Sequence, residues 1–123
     1  MKRDMDLVRD ILLMVESADK ALGLNDMHKL KYEPNIIDYH VELLIQHNFL
    51  DAEAKHDWNG DVIFLNIEGV TWEGQDFLES MRNPTLWEKA KSTLVKSGAP
   101  ASFEVIKYAC IEVAKIGIKA ALQ

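Results

Sequence analysis

Apolar positions recur first at helical spacing. Leu7, Val8, Ile11, Leu12 and Val15 share one face of a helix predicted from about Asp4 to Ser17. Asp4 is its N-cap, because a carboxylate there accepts the free N–H groups of the first turn, and Asp6 suits the positive end of the helix dipole. From Ser17 to Leu24 the period fades, and Gly23 marks where the helix gives out. Met27-His28-Lys29-Leu30-Lys31-Tyr32 alternates weakly and fits either a short strand or a half-formed helix. A second clear helix opens at Glu33-Pro34, where proline lacks only an N–H that would have had no partner. It carries Ile36, Ile37, Val41, Leu43, Leu44 and Ile45 and ends at about His47. Asn48 follows, the usual substitute for glycine at a left-handed helix terminus.

Ala52 to Ile67 reads as a β-hairpin, with Asn59-Gly60 as a two-residue turn and β-branched and aromatic residues from Val62 to Ile67. Thr71 is placed to cap a helix holding Trp72, Phe77, Leu78 and Met81, which Asn83-Pro84 stops. Thr85-Leu86-Trp87-Glu88 is a capping box, opening a helix to about Lys96. Ser97-Gly98-Ala99-Pro100 breaks the chain, and Ser102 caps a last helix. A helix followed at once by a two-stranded hairpin is the core of a winged helix. The predicted fold is therefore α+β: a winged-helix-like domain over residues 1–82, and a two-helix C-terminal extension over residues 83–123. Pro34 to His47 takes the recognition-helix position and the Asn59-Gly60 hairpin is the wing.

Composition narrows the class. The chain has 123 residues, 48% of them hydrophobic and 28% charged, which suits one folded assembly rather than a disordered tail. No run approaches the roughly 18 consecutive apolar residues of a membrane span. The opening Met1-Lys2-Arg3-Asp4-Met5-Asp6 lacks the apolar core of a signal peptide. Cys110 is the only cysteine, so neither a disulfide framework nor a thiolate-rich zinc site is available. A cytoplasmic protein without membrane partners is expected.

Four runs resemble one family. They are Met1-Lys2-Arg3-Asp4-Met5-Asp6-Leu7-Val8-Arg9, Tyr39-His40 with Leu43-Leu44, Thr71-Trp72-Glu73-Gly74 with Phe77-Leu78, and Trp87-Glu88-Lys89. Together they look like the bacterial family catalogued as domain of unknown function 2513, often carried on prophages. The resemblance implies a phage-linked role, and it brings neither an established chemistry nor catalytic residues. Gln75 stands where that pattern has histidine, and Asn48 where it has glycine.

Charge then separates two functional readings. Between Pro34 and Val70 lie seven acids, Asp38, Glu42, Asp51, Glu53, Asp57, Asp61 and Glu68, against one lysine, Lys55. That span's net charge of −6 equals the formal charge of the whole chain, 14 Lys and Arg against 20 Asp and Glu. Phosphate binding draws its affinity from on the order of 6–10 Lys or Arg contacts, so this face repels a duplex. An acidic surface instead complements a basic protein. The preferred reading is a phage- or prophage-associated interaction protein that modulates a host or defence protein, as an inhibitor does. Its candidate contacts are Asp38, Glu42, Asp51, Glu53, Asp57, Trp58 and Asp61. The rival is a DNA-binding transcriptional regulator that uses Lys2, Arg3, Arg9, Lys29 and Lys31.

Chemistry-bearing motifs are few, and no enzyme is expected. His40 and His47 share a helix face, and Asp51 and His56 follow, but no compact metal-ligand motif accompanies them. On the line Ile36, His40, Leu43, His40 reads as half-buried packing, so neither a metal nor a cofactor is expected. Cys110 lies among apolar residues and reads as inert packing. Gly74 reads as a site of close helix packing. Trp72 and Trp87 begin successive helices and read as staples to the core. Trp58 beside the hairpin turn is either an exposed anchor for a partner or packed across the strands. In the last helix the apolar arc is wider than a monomer's surface helix needs. It is either sandwiched between elements or paired in a homodimer, with Val105, Ile106, Ala109, Val113 and Ile116 as the candidate face.

Overall fold

The computed structural model describes residues 1–99 and 102–122. Among these are six helices and a three-stranded antiparallel sheet, so the chain is α+β. Helix α1 (Met5–Ser17) starts where the sequence predicts, with Asp4 Oδ1 accepting from the N–H groups of Asp6 and Leu7 at 3.0 and 3.2 Å. It stops at Ser17, well before Gly23. Ser17 Oγ donates back to the Met14 carbonyl at 3.0 Å, and Ala18 is already extended.

The ambiguous stretch resolves differently from the weak alternation at Met27–Tyr32. The strand, β1 (Leu22–Gly23), comes earlier and pairs Leu22 with Ile67 and Gly23 with Asn66. Its two residues are too few to show a period. One helical turn, α2 (Leu24–Met27), follows directly. Asp26 closes it by accepting the Gly23 N–H at 2.9 Å, a bond that lowers the Asp26 carboxyl from its usual range.

Helix α3 (Pro34–Gln46) has proline in its first turn, and the chain leaves it through Asn48 at φ 61°. A left-handed residue is required there, which explains why glycine and asparagine are both suitable. Strands β2 (Leu50–His56) and β3 (Val62–Val70) form the hairpin, and the sheet order is β1-β3-β2. The turn is a longer loop than the two residues expected. Asp57 Oδ1 accepts from the N–H groups of Asn59 and Asp61 at 2.9 and 3.0 Å, and only Gly60 needs positive φ, at 84°. The Asp57 carboxylate supplies acceptors that a tight turn would take from the backbone.

Helix α4 (Trp72–Met81) is rooted by Thr71. The Thr71 hydroxyl accepts from the Gly74 N–H at 3.0 Å and donates to the Asn48 carbonyl at 2.6 Å, and its own N–H reaches the Phe49 carbonyl at 3.0 Å. Helix α5 (Pro84–Ser97) starts at Asn83, not at Thr85: the Asn83 side chain accepts from the N–H groups of Thr85 and Leu86 at 2.9 and 3.1 Å. Asparagine is at least as good an N-cap as threonine, and Pro84 then fits the first helical position. Helix α6 (Phe103–Ala121) is capped by Ser102, as expected. Of the predicted break, Pro100 lies outside the described residues; Gly98 ends α5 at φ 70°.

The chain forms two compact units, Met1–Gln75 and Asp76–Gln123, and the division lies within α4. The first unit buries one face of α1 (Leu7, Val8, Ile11, Leu12), Ile37, Val41 and Leu44 of α3, and Leu65 and Ile67 of β3. In the second unit Phe77, Leu78, Met81, Trp87, Phe103 and Ile106 are buried, and the Phe77 and Phe103 rings meet edge to face at 5.3 Å. No helix among the described residues is long and apolar enough to cross a membrane.

Candidate functional site

Exposure alternates along β2, and Asp51, Glu53 and Lys55 point outward while Ala52 and Ala54 are half-buried. Across the ladder Glu53 faces Asn66 and Lys55 faces Phe64. Glu68 is exposed on β3 and accepts from the Asn66 side-chain amide at 2.6 Å. The outer hairpin face thus carries Asp51, Glu53 and Glu68, while Lys55 holds its ammonium 5.1 Å from the Phe64 ring centroid. The span's one lysine lies over an aromatic face and keeps its charge, and the three carboxylates outnumber it on this face. Trp58 at the hairpin tip is fully exposed, with exposed Asp61 close by in the same loop. The cross-strand packing alternative for Trp58 is not what the structure holds. Phe64 is an addition that sequence reading missed; its place opposite Lys55 depends on the ladder register.

The remaining predicted acids are engaged within the unit. Asp38 is bonded to His28 Nε2 at 2.7 Å, linking α2's end to α3. Glu42 is hydrogen-bonded to His56 Nε2, linking α3 to β2. Asp57 is occupied by its own loop. These three carboxylates organise the surface from which Asp51, Glu53, Asp61 and Glu68 project.

His40 is completely buried rather than half-buried. Its Nε2 accepts the Asp4 N–H at 2.7 Å, and its Nδ1 donates to the Ile36 carbonyl at 2.7 Å. This arrangement needs the neutral tautomer with the proton on Nδ1, and both ring nitrogens are used. The ring therefore ties the cap of α1 to α3. His47 instead sets its ring edge-on to Phe49 at 4.6 Å. Among the described residues no group of three or more His, Cys, Asp or Glu side chains is placed to hold a metal ion.

The basic candidates lie on two segments of the same unit. Lys2 and Arg3 are exposed before α1, Arg9 is half-buried on it, and Lys29 and Lys31 are exposed between α2 and α3. The Tyr32 hydroxyl spans the segments by donating to Asp10 Oδ2 at 3.4 Å. Burial is the main cause that raises both groups, the Asp10 carboxyl and the Tyr32 phenol, above their ordinary ranges. Lys29 is within 3.7 Å of Asp26, which offsets part of its charge.

Trp87, in the second unit, is a staple, 2% exposed, but Trp72, in the first, is not, at 83%. Trp72 lies two residues from Gly74, about 200° round the helix, so it points away from the contact Gly74 makes. At Gly74 a Cβ would run into the Phe49 carbonyl and the Val70 side chain, which accounts for the glycine. Cys110 is buried. Of the expected dimer face, Ile106 and Ala109 are already covered, at 2% and 8% exposure, because that side of α6 packs internally. Val105 and Val113 are half-buried, and Ile116 is exposed beside an open groove that α5 also lines.

Residues 2–100 match a protein family described as "Hypothetical protein (DUF2513)". A relative from Haemophilus influenzae, described as an uncharacterized protein, is 31% identical over 108 residues, covering 87% of this chain and 90% of the relative. No solved structure matches the chain significantly.

Proposed function

The chain belongs to the family described as hypothetical protein DUF2513, and from that premise we propose that it is a non-enzymatic, phage- or prophage-associated protein of the cytoplasm that acts by binding. Its first unit reads as a winged-helix-like domain. The order α1-β1-α2-α3-β2-β3 with sheet order β1-β3-β2 supports this, with α3 in the recognition position and β2–β3 as the wing. The partner is a basic protein surface, which the chain occupies or blocks as an inhibitor would. One observation carries the reading: a fully exposed Trp58 tips a hairpin whose outer face holds Asp51, Glu53 and Glu68, with its one lysine held over Phe64. An exposed tryptophan at the tip of a predominantly acidic hairpin face has the composition of a protein-binding hot spot.

The same topology favours a second reading, a DNA-binding regulator that contacts phosphates through Lys2, Arg3, Lys29 and Lys31, all exposed, and through Arg9. Two parallel measurements separate the readings. In one, native protein and the Trp58→Ala and Asp51→Asn/Glu53→Gln/Glu68→Gln variants are used as bait at low and moderate salt. In the other, each is titrated onto random duplex DNA in a gel shift. The protein-binding reading expects a captured partner that both variants lose, and no shift of DNA. A salt-sensitive shift abolished by Lys2→Ala/Arg3→Ala, with no captured protein, would reverse the order of the readings.

A further inference from the structure

Helix α6 has two apolar seams. Phe103, Ile106 and Cys110, spaced three and four residues apart, are buried within their own unit. A second series with the same alternation, Tyr108, Ile111, Lys115, Ile118 and Leu122, begins five residues after Phe103. Five residues at 100° each place it about 140° round the helix from the first. Every member is exposed: Tyr108 by 66%, Ile111 by 37%, Ile118 by 60% and Leu122 by 82%, with Lys115 exposed among them. Spacing of three and four is the a/d pattern by which two helices pack knobs into holes.

We propose that this open seam is a self-association surface, on which α6 of a second copy lies antiparallel. The charges choose both the occupant and its direction. In a parallel pair Lys115 would sit inside the seam against Lys115 of the second copy, two like charges in a desolvated layer. The Lys107–Glu112 pairs formed at the rim in that arrangement are exposed and worth little against it. In an antiparallel pair Ile111 packs against Leu122 of the second copy and Lys115 against Ile118. The two lysines are then in separate layers, where their methylene stems cover isoleucine and the ammonium groups reach water. The same register sets Glu112 beside Lys119 of the second copy, and two-fold symmetry makes that pair twice. Glu112 already holds Lys115 at 3.4 Å within the helix, so its carboxylate is aimed along this edge. A single lysine at a core position is a known way of fixing orientation at some cost in affinity. The paired stretch, Ile111 to Leu122, is only about 16 Å long at 1.5 Å per residue, so association depends on concentration. The surface is distinct from the hairpin, and the inference stands or falls independently of the partner proposed there.

Sedimentation equilibrium on the full chain, from micromolar to near-millimolar concentration, tests it. The native chain is expected to dimerise, and Ile118→Glu to raise the dissociation constant by roughly tenfold or more. Because Ile118 is exposed, circular dichroism of that variant should match the native protein. Lys119→Glu should weaken the dimer, and adding Glu112→Lys to it should restore native affinity, since only an antiparallel pair brings these positions together. Lys107→Glu should leave association unchanged. A native chain that stays monomeric throughout the range overturns the proposal, as does a dimer insensitive to Ile118→Glu. A dimer weakened by Lys107→Glu and indifferent to Lys119→Glu is parallel and overturns it equally.

Discussion

Burial pushes the Cys110 thiol up to about 11, which leaves almost no thiolate at neutral pH to attack an alkylating reagent or a disulfide. Native protein should therefore remain unlabelled by a thiol reagent over a time in which the denatured chain reacts to completion. Asp10 gives a pH signature of its own. Its folded carboxyl is raised, chiefly by burial, so its contribution to stability is fully present below the unfolded value and is lost as pH rises through the folded one. Asp10→Asn should accordingly be more stable than the native chain at neutral pH, and chemical denaturation in acid should show the difference closing. The Asn side chain keeps an acceptor for Tyr32. His40→Ala is the severe change at this scale. It leaves a cavity and removes the ring acceptor of the Asp4 N–H, while the Ile36 carbonyl keeps its helical backbone partner, and it should cost about 2–4 kcal/mol in a denaturant titration.

Helix α4 meets the end of α3 and the hairpin at a point where there is no room for a side chain. Gly74→Ala should destabilise the protein by about 2 kcal/mol or more, because the obstacle is the Phe49 backbone and not a movable side chain. Elements of this kind were legible in the sequence. The Asp4, Thr71 and Ser102 caps, the left-handed Asn48 and the periodic faces of α1 and α3 each follow from local chemistry. What was hidden depends on partners distant in the chain. Strand β1 exists because Leu22 and Gly23 find Ile67 and Asn66, and two residues carry no pattern of their own. The longer hairpin loop arises because a side chain, Asp57, outbids the backbone turn that Asn59-Gly60 would make. At the candidate site, the acidic excess between Pro34 and Val70 was plain in the composition. Which carboxylates face water was not, since that required knowing that His28 and His56 take Asp38 and Glu42. In α6 the breadth of the apolar arc was visible, but not which side the unit itself would cover.

For the molecule as a whole, the acidic excess and the packing core occupy different residues, so binding and stability separate. Trp58→Ala removes a side chain that touches almost nothing in the free protein, and its melting temperature should stay within about 2 °C of native, since exposed substitutions usually change stability by less than about 0.5 kcal/mol. Any loss of partner affinity in that variant is then assignable to the hairpin tip. The hairpin also has an unequal construction along its length. Its root is tied by the Thr71 hydroxyl to Asn48 and by the Thr71 N–H to Phe49, the end of β2 is tied to α3 through His56 and Glu42, and beyond His56 the loop is held by the Asp57 carboxylate. Amide hydrogens near Leu50 should exchange slowly with deuterium and those of the Asp57–Asp61 loop, beyond the His56 tie, quickly, and a bound partner would retard exchange most where the free protein resists it least.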